Sequence, residues 1–89
     1  MKAQEAYRKM VDDGTMELLG TLAARWVDER EYEDIEDYRE VLQSKAPFVK
    51  VLKMSKRPFG FVFEAEDKKV HVFIKKSAAG WGYAGKVVK

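Results

Sequence analysis

Along the first half of the chain, apolar residues recur at helical spacing; along the second half they alternate. Ala3, Ala6, Tyr7, Met10 and Val11 stand at i, i+3, i+4, i+7 and i+8, the stripe of one helix face. Asp12-Asp13-Gly14 interrupts it, with Gly14 suited to a left-handed stop and Thr15 to the N-cap of a second helix. That helix continues through Met16, Leu19, Leu22, Ala23, Trp26 and Val27 to about Arg30, with Leu18 widening its stripe. Ile35, Tyr38, Val41 and Leu42 predict a third, shorter helix with Asp34 as its cap, and Pro47 forbids its continuation.

Beyond Pro47 the period is two. Residues 48–54 read as a strand, 55–58 as a turn and 59–66 as a second strand. Asp67-Lys68 reads as a two-residue loop, 69–75 as the return strand and 80–88 as a fourth. Such short connections predict an antiparallel meander.

With Asp67-Lys68 as the whole loop, Ala65 faces Val70, Phe63 faces Val72 and Phe61 faces Ile74, all on one side. The other side then holds Glu66 against Lys69, Glu64 against His71 and Val62 against Phe73. With residues 55–58 as the preceding loop, Met54 faces Phe59 and Leu52 faces Phe61. One face is thus nearly all Phe, Leu, Met, Val and Ile, and the amphipathic helices are the available cover. The predicted fold is a single α+β domain, residues 1–89. Two or three N-terminal helices pack on one face of a C-terminal antiparallel meander of three or four strands.

Charge sharpens this division. Residues 1–46 carry 7 Lys/Arg and 12 Asp/Glu, a balance of −5, whereas residues 47–89 carry 10 Lys/Arg and 3 Asp/Glu, a balance of +7. The whole 89-residue chain is only +2. The sheet, rather than the helices, is therefore the surface suited to anionic partners. There is no Cys, so neither disulfide nor thiolate chemistry enters. The N-terminal residues lack the apolar run of a signal peptide, and no stretch approaches the roughly 18 apolar residues of a membrane span. A soluble, cytoplasmic protein without a membrane partner is expected.

Chemistry-bearing motifs are few. Gly80-Trp81-Gly82-Tyr83-Ala84-Gly85 matches G-x-G-x-x-G. A dinucleotide site needs a strand before that motif and a helix after it. Here the alternation places it within a strand, where glycine permits close approach. His71 is the only His, with Glu64 as its expected neighbour; no nucleophile motif accompanies the pair, and a polar residue on a solvated strand face is the simpler reading. Asp28, Glu29, Glu31, Glu33, Asp34, Glu36, Asp37 and Glu40 form an acidic run without EF-hand spacing. Such a run reads as a solvated helix face or a docking surface for a basic partner. Neither a cofactor, a metal centre nor an enzyme is expected.

The binding candidates lie on the sheet: Lys53, Lys56, Arg57, Val62, Phe73, Lys75 and Lys76. In the expected register Lys53, Gly60 and Lys75 form one outer row, and Val51, Val62 and Phe73 the next. An uncovered apolar stripe rimmed by lysine marks an interface with a protein partner or a second copy. The alternative is nucleic acid, its bases stacked on rings and its phosphates tracked by lysines, although the order of elements differs from an RRM. Lysine on exposed strands also discourages sheet-to-sheet aggregation. Trp81 and Tyr83 share one side of the last strand; one parity of the loop before it sets them beside Phe73 on the outer face and the other sends both into the core, the favoured reading because Trp is highly buried on average.

Overall fold

The computed structural model describes residues 1–30 and 34–88. Three helices, α1 (Ala3–Asp12), α2 (Thr15–Ala23) and α3 (Ile35–Lys45), precede strands β1 (Lys50–Lys56), β2 (Phe59–Glu64), β3 (Lys69–Ser77) and β4 (Gly80–Val88). The strands form one antiparallel sheet in the order β1-β2-β3-β4. This is the expected α+β meander. No helix among the described residues is long and apolar enough to cross a membrane.

The helical stripes meet the sheet as their spacing requires. Ala6, Met10, Leu19, Ala23 and Leu42 are fully buried, together with Phe61, Phe63 and Val72 from the sheet. Each buried Phe of this kind contributes about 1.5–3 kcal/mol relative to exposure. Gly14 takes the left-handed conformation at φ 86°. The cap beside it differs from expectation: Thr15 is the first helical residue, and Asp13 accepts from both its N–H (3.1 Å) and its hydroxyl (2.6 Å). Asp34 caps α3 as expected, accepting from the Glu36 N–H.

The second helix does not remain α-helical to Arg30. Ala24–Asp28 forms a π-helical turn, closed by the Glu29 N–H on the Ala24 carbonyl. The wider turn rotates the side chains beyond it around the helix axis. Val27 therefore faces solvent, while Trp26 packs edge-on to Tyr38 at 5.9 Å. Glu31 and Glu33 of the acidic run lie outside the described residues.

The register also differs, by two residues in each hairpin. Phe63 pairs with Val70 and Phe61 with Val72, and Met54 pairs with Phe61. Ala65 N–H bonds the Lys68 carbonyl (3.0 Å), so Glu66 and Asp67 form the apex. There the Asp67 carboxylate accepts from the Ala3 N–H at 2.8 Å. It caps α1 from the far end of the chain, and that bond holds its pKa below the ordinary carboxylate value. In the first hairpin Arg57 and Pro58 alone separate the strands, across a cis peptide bond. A shift of two preserves side-chain parity, so Phe61, Phe63, Val72 and Ile74 still face the helices.

Val51 is where parity fails. The pairing slips between Val51 and Lys53, leaving Leu52 as an extra residue. This bulge turns Val51 into the core, opposite Phe63, instead of onto the outer face. At Gly60, by contrast, β3 comes so close that an added Cβ would lie 2.0 Å from the Val72 carbonyl oxygen. Glycine is required there by backbone approach.

Candidate protein-binding surface along the β4 edge

A four-stranded meander has two edges, and this one treats them differently. At β1 the side chain of Gln43 lies along the free edge. Its amide donates to the carbonyls of Ala46 (3.1 Å) and Val49 (2.8 Å), and its carbonyl accepts from the Val51 N–H (2.8 Å). Arg39 adds a bond to the Val51 carbonyl at 3.4 Å. Helix α3 thus satisfies the start of β1 with side chains, and the Leu52 bulge interrupts the strand beyond.

The other edge, β4, runs nine residues in unbroken register with β3, from Ser77–Gly80 to Lys69–Val88. No strand among the described residues pairs with its other side. Trp81, Tyr83, Gly85 and Val87 point to the helix side, and Gly82, Ala84 and Lys86 to the outer side. Trp81 and Tyr83 therefore have the parity of core residues but are 36% and 44% exposed, and Val87 is 49% exposed. α2 and α3 pack over β1 to β3, and α1 reaches β4 through Tyr7. Tyr7 of α1 rests where a side chain at position 85 would stand, its Cε2 2.8 Å from a Cβ placed there. Burial, and secondarily Tyr83, push the Tyr7 phenol above its ordinary value. Beside this contact a groove of about 390 Å³ is lined by Ala3, Tyr7, Val70, Gly85 and Val87 among others, within the ~300–1,000 Å³ of ordinary ligand sites.

The outer face carries no helix among the described residues. Its central row runs Lys53–Val62–His71–Lys86 and the next Ser55–Gly60–Phe73–Ala84. His71 packs on Phe73 at 5.3 Å between ring centroids, and its Nε2 is buried without a hydrogen-bond partner among the described residues. Burial, then Lys53 and Lys86, hold its pKa below the ordinary histidine value. Glu64 faces Lys69 instead, at 4.0 Å, so the expected Glu64–His71 pair is not made.

The seven sequence-derived candidates divide between the two sides. Lys53, Val62, Phe73 and Lys75 share the outer face, with Val62 only 7% exposed among its neighbours and outside the helix-packed core. Lys56 and Lys76 lie on the helix side, with Nζ 5.9 Å from the Trp26 ring and 5.2 Å from the Trp81 ring respectively. Lys76 also meets Asp28 at 3.8 Å. Arg57 sits in the first turn. The expected rows Val51–Val62–Phe73 and Lys53–Gly60–Lys75 do not form, because of the bulge and the two-residue shift. The G-x-G-x-x-G motif lies wholly on β4.

Sequence reasoning missed Tyr7 and Val87 on the helix side of the β4 edge and Lys86 on its outer side. The available signal was topological: the last strand of a meander is an edge, whatever its side chains. No protein-family model, curated protein or solved structure matches the chain.

Proposed function

We propose that this domain is a non-catalytic protein-binding module that takes up a partner's extended segment as a fifth strand along β4. The observation that carries this reading is the contrast between edges: α3 closes β1 with Gln43 and Arg39, while β4 lies bare beside exposed Trp81, Tyr83 and Val87. Strand addition draws affinity from main-chain hydrogen bonds and specificity from pockets for alternate side chains. The groove between α1 and β4 supplies such a pocket. Peptides selected from a random heptamer display library, mapped by amide chemical shifts, test it. The expected result is perturbation along residues 80–88, lost in Tyr83→Lys. Hits confined to the helices or the outer face, or no hits at all, would reject it.

A second reading has its own support. On the outer face the His71–Phe73 ring pair stands among Lys53, Lys75 and Lys86, an arrangement suited to stacked bases and phosphates. Oligo-dT and oligo-U titrations at 50 and 200 mM salt separate the two. Tight binding that falls steeply with salt and is lost in Phe73→Ala would put nucleic acid first. Absence of binding at 50 mM removes this reading.

A further inference from the structure

Resting on the open-edge reading of β4, we propose that the incoming strand alternates apolar and acidic residues, and is supplied by a different protein rather than by a second copy. Two rows of chemistry border the edge, and they differ by face. On the helix side a new strand would lie beside Trp81, Tyr83 and Val87 and the groove floored by Gly85. That side accepts apolar groups. On the outer side β4 offers Gly82, Ala84 and Lys86, with Val88 at its far end beside Lys69. Lys86 stands at the edge itself. Gly82 has no side chain, so its partner Lys75 on β3 is reachable from the edge across it. Lys69 completes the basic border, with Glu64 the single carboxylate on these central outer rows.

Side chains of one strand alternate between faces, so a strand matching both borders has apolar residues at every second position and Asp or Glu between them. A second copy matches only half of this. Paired antiparallel, β4 would bring apolar residues together on the helix side but Lys86 beside the Lys75–Gly82 row of the other copy on the outer side. Like charges in neighbouring rows oppose pairing. His71 reports on the same region. The groups facing it or flanking it are Lys53, Lys86, Lys69, Lys75 and Glu64, all from the sheet, and burial first, then the lysines of its own row, hold its proton affinity down.

The experiment uses the full chain and three blocked octapeptides: alternating Val-Glu, Val-Thr and Val-Lys. At 50 mM salt the Val-Glu peptide is expected to bind at least tenfold more tightly than the other two, with the preference shrinking at 500 mM. It should shift the amides of residues 80–88 and raise the His71 pKa. The double variant Lys75→Glu/Lys86→Glu, both exposed positions, should reverse the preference toward Val-Lys while keeping native amide dispersion. Equal binding of all three peptides at β4 overturns the acidic alternation and leaves the strand-addition reading intact. Concentration-dependent shifts of residues 80–88 without peptide, with a dimer in sedimentation, replace the foreign strand by a second copy. No response of β4 to any peptide or concentration rejects the edge reading itself.

Discussion

The two edges of this sheet belong to strands of similar length, seven residues in β1 and nine in β4, yet only one is closed. At β1 a helix residue imitates a strand: the Gln43 amide makes, with Val49 and Val51, the donor and acceptor contacts that a neighbouring backbone would make. The bulge at Leu52 then spoils the remaining edge as a template. At β4 neither device is present among the described residues. Small domains can hide an edge with two side chains and one extra residue, so openness at β4 is a property of that strand and not a consequence of size.

Removing the closure of β1 has the largest expected effect. Gln43→Ala leaves the Val51 N–H and the Ala46 and Val49 carbonyls without this partner. Loss of about 1–3 kcal/mol is expected, read from urea unfolding, together with a new tendency to associate through residues 50–56. Unchanged stability would show that the two edges differ less than their hydrogen bonds suggest. At β4 the converse holds. Tyr83→Lys or Trp81→Lys should change stability by less than about 0.5 kcal/mol, because both rings stand at exposed positions outside the packed core, while abolishing capture of extended peptides. A large loss of stability would mean that β4 is part of the core after all.

The smallest effect compares the edges through one residue between them. Lys53 on β1 and Lys86 on β4 lie in the row of His71, so Lys53→Ala and Lys86→Ala should each raise its pKa, the first by more. His71 binds its proton less readily in the folded than in the unfolded chain. Its contribution to stability therefore falls as pH drops through the ordinary histidine range near 6.5, and levels off below the depressed folded value. Both lysine variants should flatten that slope, measured by unfolding midpoints between pH 5 and 8. A slope unchanged in both would remove the lysines as its cause.

Much of this architecture is legible in the residues. The change from helical to alternating spacing near Pro47 locates the two layers, and parity along β2 and β3 assigns Phe61, Phe63, Val72 and Ile74 to the core. Parity survives a slip of two, so the faces are readable while the pairing is not. Pairing depends on Asp67, whose use as a cap for α1 joins residues 64 apart and leaves no local signature. The Leu52 bulge is equally silent, since nothing in Val51-Leu52-Lys53 marks an extra residue, and it moves Val51 from the expected contact row into the interior. The π-helical turn likewise displaces Val27 from its stripe. For Trp81 and Tyr83 average burial misleads, because it holds only where a helix extends over the strand.

The clasp between Asp67 and Ala3 also ties the two layers together. More than sixty residues separate the first turn of α1 from the side chain that caps it. Loop-closure entropy grows only slowly with length, so this bond ties the start of α1 to the β2–β3 turn at little more cost than a bond across a much shorter loop.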